Sequence, residues 1–149
     1  MKKHVPANDV FENKFATASV ARSYLARYYF RALELQRRGE KDAALASDDD
    51  AERYDLEHIM PEKPSKEWNV KEDERNRLVG RIGNLGLLEK PINSAIKGKG
   101  IQAKEVAYKK STKLTMNTIS TGNKWGSEEI DQRQKELAAL AVKAWPITV

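Results

Sequence analysis

Two pieces of one stretch, Tyr54–Trp68 (YDLEHIMPEKPSKEW) and Arg81–Asn93 (RIGNLGLLEKPIN), decide how this chain is read. In the first, the acid–histidine pair Glu57-His58 closes a short strand-like run, and Ile59-Met60-Pro61 turns the chain away. In the second, an apolar run from Ile82 to Leu88 carries Gly83, Asn84 and Gly86, then passes through Pro91 to Asn93. Neighbours on an extended strand point to opposite faces, so Glu57 and His58 can serve one ligand only if the strand ends or bends at His58. Pro61 fits such a bend, because it cannot donate to a sheet ladder and it biases Met60 away from helix.

These residue types share a chemistry. Hydrolysis of a phosphodiester needs a base to take a proton from water and positive charge beside the phosphate oxygens. A histidine, with an ordinary pKa of about 6.5, is largely neutral at physiological pH and suits the first task. A Glu carboxylate and an Asn carbonyl are hard oxygen donors suited to Mg²⁺ or Mn²⁺, whose coordination waters and substrate phosphate complete.

Glu57-His58-Ile59-Met60-Pro61, then Gly83-Asn84-Leu85-Gly86-Leu87-Leu88, then Asn93, resembles the HNH nuclease motif, also called the His-Me finger or ββα-metal motif. More narrowly it resembles the C-terminal HNH domain of GmrSD-type modification-dependent restriction endonucleases. The likeness extends through Lys104–Ser111 (KEVAYKKS), Leu114–Asn117 and Trp125–Pro146, so that it covers roughly residues 22–146. It implies an α+β fold, a mostly α-helical domain wrapped around a small ββα-metal core at about residues 54–100. Residues 1–19 are then a lead-in, and 20–149 form the endonuclease domain.

Position by position, the resemblance implies that His58 is the general base and that Glu57 and Asn93 hold the metal. Asn84 then ties the histidine-bearing loop to the second strand. Glu57 and Asn93 stand where the literal motif has histidines, which favours Mg²⁺ or Mn²⁺ over Zn²⁺; Asp55 is a further carboxylate nearby. The family also implies DNA as substrate, a role in restricting foreign or modified DNA, and a separate N-terminal domain or subunit that senses nucleotide. Taken singly, each residue has a plainer reading: a surface Glu-His pair, a turn asparagine at Asn84, a helix cap at Asn93. It is the ordered set that favours the nuclease reading over these plainer ones; an inactive nucleic-acid-binding domain, or a ribonuclease or toxin-type nuclease built on the same core, is the alternative.

The rest of the 149 residues bounds this reading. There is no Cys, hence no disulfide framework or thiol nucleophile, and only two histidines, His4 and His58, which excludes a multi-histidine metal site. No apolar stretch approaches the roughly 20 residues of a membrane span and no secretory signal follows Met1, which places the protein in the cytoplasm with no membrane partner. The net charge is +5, and residues 94–118 alone hold six lysines against Glu105. That segment follows Asn93 directly, so Lys97, Lys99, Lys104, Lys109 and Lys110 are candidate contacts to a nucleic-acid backbone.

Periodicity predicts a helix from about Ala18 to Arg38, with Val20, Tyr24, Leu25, Tyr28, Ala32 and Leu35 as its buried stripe and Gly39 as its stop. Asp48-Asp49-Asp50 reads as an acidic linker. A helix capped by Ser65 is expected through Trp68 to Leu78, a strand over Ile82–Leu88, and a helix opened by Pro91 and ended by Gly98 or Gly100. Helices over about Gln102–Lys110 and Thr112–Ile119 follow, then a Gly122–Gly126 loop. The last helix spans Ser127–Trp145, capped by Ser127 and stopped by Pro146, with Ile130, Leu137, Leu140, Ala141 and Ala144 inward and Trp125 and Trp145 packing beside it.

Overall fold

β1 (Tyr54–His58) and β2 (Leu85–Glu89) form an antiparallel pair with Tyr54 opposite Glu89 and His58 opposite Leu85. The computed structural model describes residues 6–39 and 51–145; His4, the Asp48–Asp50 run and Pro146 lie outside the described residues. Strand alternation sends Leu56, Leu85 and Leu87 to one face of the sheet and Leu88 to the other, and each face has its own core.

Helices cover both faces. On the first lie α1 (Pro6–Phe15), α2 (Ser23–Arg38) and α7 (Ser127–Ala144), with Phe15, Ala26, Phe30, Leu33, Leu137, Ala138 and Ala141 buried against the strands. On the second lie α4 (Lys90–Ile96), α5 (Ile101–Tyr108) and α6 (Leu114–Asn117), with Ile59, Met60, Trp68, Leu88, Ile96, Tyr108 and Met116 in the core. α3 (Glu72–Leu78) lies in the connection between the strands. The α+β expectation holds: the domain is mostly helical, with a small two-stranded sheet and α4 packed across both strands.

Several local expectations shift. Residues 6–19, read as a lead-in, include α1, which docks on α7 and buries Phe15 against the Tyr29 ring at 5.8 Å. α2 begins at Ser23 because residues 18–20 are held extended: Ser19 bridges Arg81, and the Val20 N–H donates to Gly80. Its buried stripe is Ala26, Phe30, Leu33 and Glu34, out of phase with the one expected, and Tyr24 and Tyr28 face solvent. Phe30 has no polar atom and goes inward, while a tyrosine keeps its hydroxyl in water. Gly39 does end α2, in the left-handed region at φ 65°.

α3 starts at Glu72, not near Ser65, because the buried Trp68 pins the preceding segment by donating from Nε1 to the Lys99 carbonyl at 3.0 Å. Three acids in the first turn, Glu72, Asp73 and Glu74, complement the positive helix end. Ile82–Asn84 form a 3₁₀ turn, and the strand begins at Leu85. The cap of α7 is Gly126, with Ser127 its first helical residue.

Gly83 and Gly86 mark close approaches. A Cβ at Gly83 would stand 2.3 Å from the Ile130 carbonyl oxygen of α7, and one at Gly86 would stand 2.1 Å from the Met116 Sδ of α6. Beside them the buried Arg133 guanidinium donates from Nη1 to Gly83 and Leu85 carbonyls at 2.9 and 2.6 Å, and from Nη2 to the Thr115 carbonyl at 2.9 Å. Burial lowers its pKa to about 10, so it remains charged at neutral pH. One arginine thus joins the start of β2 to α6 and α7.

Candidate active site

β1 ends at His58, and the chain bends at Ile59 and Met60. The bend is held mainly by Asn84, which is fully buried. Its Oδ1 accepts from the Met60 N–H at 2.7 Å and from the Trp125 indole N–H at 3.0 Å. Its Nδ2 donates to the carbonyls of Met60 at 3.0 Å and Val79 at 2.9 Å, while its backbone carbonyl accepts from the Ile59 N–H at 2.9 Å. All four side-chain hydrogen bonds go to protein, and two hold Met60 within the bend. Asn84 therefore positions the loop after His58 and cannot itself reach a substrate.

A second clamp comes from α5. Lys104 Nζ donates to the carbonyls of His58 at 3.1 Å and Ile59 at 3.0 Å and to Glu57 Oε2 at 3.2 Å. All three ammonium protons have partners, as burial of a cation requires. Desolvation lowers the Lys104 pKa, opposed by the Glu57 charge. Lys104 was expected among the lysines facing a phosphate backbone. At 2% exposed it is instead an internal strut, because the Glu57 carboxylate and two strand-end carbonyls draw it inward.

Glu57 is also buried, and the Tyr108 hydroxyl donates to its Oε2 at 2.6 Å. That phenol is held neutral well above its ordinary pKa, first by burial and then by the Glu57 charge. Asn93, expected to share a metal with Glu57, instead donates from Nδ2 to Asp55 Oδ2 at 2.8 Å; Lys90 Nζ stands 3.8 Å from the other Asp55 oxygen. Asp55 and Glu57 lie on the same face of β1, the one turned to α4 and α5. The structure thus brings Asn93 to Asp55, and Glu57 to Lys104 and Tyr108.

His58 is a quarter exposed, with Nδ1 3.6 Å from Glu62 Oε1. Burial lowers its pKa; the Glu62 and Glu57 charges oppose this and Lys104 adds to it. The imidazole is therefore neutral at pH 7 and able to accept a proton. Among the described residues, no three His, Asp or Glu side chains gather into a group that could hold a metal ion.

Lys97, Lys99, Lys109 and Lys110 are exposed, Lys97 and Lys99 in the loop after α4 and Lys109 and Lys110 just beyond α5. Lys113, the sixth lysine of the segment, is buried with Nζ 4.4 Å from the Tyr54 ring centre. Trp125 was read as a packing residue, and its bond to Asn84 was not anticipated. It also walls a cleft of about 520 Å³ with Arg37, Thr118, Lys124 and Glu129, which contains none of the candidate site residues. No helix among the described residues is long and apolar enough to cross a membrane.

Residues 5–140 match the family described as GmrSD restriction endonucleases, C-terminal domain. No curated protein and no solved structure matches the chain.

Proposed function

The chain belongs to the C-terminal domain family of GmrSD restriction endonucleases, and from that premise we propose that it is a divalent-metal-dependent HNH endonuclease that hydrolyses or nicks DNA. The observation that carries this reading is the bend itself: a histidine at the end of a strand, with Met60, two residues on, held by both polar atoms of the buried Asn84 side chain. A base positioned this way loses little freedom when substrate arrives.

His58 is the general base. Its Nδ1 faces Glu62, which leaves Nε2 to take the proton from the attacking water. The donor set fits a hard ion: Asp55 and Asn93 stand in contact on neighbouring elements, a carboxylate and an amide of the kind Mg²⁺ or Mn²⁺ accepts alongside waters and phosphate. Asp55 and Asn93 are the residues that would hold the ion, with Glu57 behind them on the same strand face, its Oε2 shared by Tyr108 and Lys104. When bound, such an ion supplies positive charge for the non-bridging oxygens and the departing 3′ oxygen. Lys97, Lys99, Lys109 and Lys110 hold the backbone by charge. The biological role is restriction of foreign or modified DNA, with recognition supplied by an N-terminal nucleotide-sensing domain or subunit.

Plasmid nicking by wild type and His58→Ala, each with Mg²⁺, Mn²⁺ or EDTA, tests this. The expected result is metal-dependent nicking by wild type that the variant loses while keeping its circular dichroism spectrum. Equal nicking by both proteins would remove His58 from the mechanism.

A further inference from the structure

α5 turns Lys104 and Tyr108 inward, where both bind Glu57 and Lys104 also holds the His58 and Ile59 carbonyls. Val106 lies about 160° around the helix from each of them, at the centre of the opposite face, and is 62% exposed. Gln102 stands one turn before Val106 on that face, and Lys109 and Lys110 one turn after it; all three are exposed. Among the described residues, none of these three side chains has a hydrogen-bond or ion-pair partner.

The one acid of the helix, Glu105, is turned aside, its carboxylate accepting from the Thr121 N–H at 2.8 Å and the Thr121 hydroxyl at 3.2 Å. Glu67 lies beside Gly100 at the helix start, where it complements the positive helix end. Lys97 and Lys99 precede α5, so exposed cations stand before and after this face. Its centre is an apolar side chain in water, framed by an amide and by lysines.

We propose that the outer face of α5 enters the major groove of duplex DNA and reads A·T pairs there, Val106 against the thymine methyl and Gln102 on the adenine edge. The lysines select an anionic partner and meet the phosphates on either side. An α-helix about 10–12 Å across fits a major groove about 12 Å wide. Only thymine among the four bases presents a methyl group in that groove, and a glutamine amide matches the donor and acceptor of adenine N6 and N7. Because Lys104 and Tyr108 fix α5 to the strand that ends in His58, bases read on its outer face are held in register with the scissile phosphate. The inference rests on the nuclease reading and deepens it, giving the domain a base preference of its own.

The test is fluorescence anisotropy in EDTA, so that no cleavage intervenes, with a labelled duplex of alternating adenine and thymine. Two further duplexes carry uracil for thymine, which removes the methyl, or 7-deazaadenine for adenine, which removes N7. Wild type is expected to bind the first duplex about 3-fold to 5-fold more tightly than the uracil one and about 5-fold or more tightly than the deaza one. Val106→Ser should abolish only the methyl preference and Gln102→Ala only the N7 preference, so changes in the duplexes themselves cancel between proteins. Lys109→Gln combined with Lys110→Gln should weaken all three alike and lower the salt slope by about two. The inference is overturned if wild type binds the three duplexes equally, if the preferences survive both substitutions, or if no duplex binds at low salt, which would mark the face as a protein-docking surface. Failure of the nuclease reading shows elsewhere, as nicking unaffected by His58→Ala.

Discussion

Replacing Asn84 should damage stability in a manner that depends on pH and on which atom is changed. Asn84→Ala strands three buried groups, the Met60 and Trp125 N–H donors and the Met60 carbonyl, and the half-buried Val79 carbonyl. At about 1–3 kcal/mol for each buried polar group left unpaired, the sum rivals the whole stability of a small domain, so even partial rescue by water leaves a large loss. Asn84→Asp isolates one atom. Oδ1 still accepts from Met60 and Trp125, but the second oxygen now faces two carbonyls that the amide had satisfied. Only the protonated acid can donate to either, so its pKa in the folded state is raised above the unfolded value of about 3.9. For a raised pKa, the folded state holds the proton more tightly. Its contribution is then fully present below the unfolded value and is lost as pH rises through the folded one. Asn84→Asp should therefore lose stability relative to wild type between pH 5 and pH 7, up to the one-proton limit of about 2.7 kcal/mol. Urea unfolding followed by tryptophan fluorescence and circular dichroism at both pH values measures this. A gap between variant and wild type that is the same at both, or an Asn84→Ala loss below about 1 kcal/mol, would refute the account of the clamp.

Three further outcomes are expected. Tyr108→Phe removes a charge-assisted bond to buried Glu57 and should cost about 1.5–3 kcal/mol at neutral pH. Because the folded Tyr108 pKa is raised, its contribution is complete below the unfolded value of about 10 and falls as pH rises above that, so urea titrations should show a shallower alkaline decline for the variant. Gly83→Ala drives a methyl into the α7 backbone whereas Gly86→Ala meets a thioether that can turn aside, so both should lower the melting temperature, Gly83→Ala by more, from overpacking of about 1–3 kcal/mol. Asp55→Asn and Asn93→Ala should raise the Mg²⁺ concentration needed for half-maximal nicking about 10-fold or more, while Glu57→Gln mainly lowers unfolding stability; a Glu57 effect confined to metal demand, with stability intact, would return the ligand role to Glu57.

The order of elements was legible because punctuation and apolar runs report it directly. Gly39, Pro91, Gly98 and the Trp125-Gly126 break stand where helices start or stop, and the Gly83 and Gly86 interruptions did mark close approach. The phase of α2 was not legible, because two apolar stripes coexist on it and tertiary packing chose Phe30 over the tyrosines. Arg133 and Gln134 were missed for a related reason. They occupy inward positions between Ile130 and Leu137, and a polar residue inside an apolar stripe is the one available sign that it carries buried hydrogen bonds. Counting lysines gave the charge of residues 94–118 but not its direction: Lys104 and Lys113 are buried, each beside a partner from β1 that lies far away in sequence.

Those same long-range partners explain how so small a sheet can carry a site. A hairpin of two strands alone is marginal in water. Here each end that matters is tied to a helix by a polar side chain: the His58 and Ile59 carbonyls by Lys104 of α5, the Gly83 and Leu85 carbonyls by Arg133 of α7, the Tyr54 carbonyl by Arg27 of α2. Each tie is a cation bonded to backbone oxygen, and neither Lys104 nor Arg133 can be lost without stranding carbonyls inside the protein. Substituting either should therefore loosen the strand that carries His58 before it disturbs the outer helices. Amide exchange would show this as lost protection concentrated in residues 54–60 and 83–89.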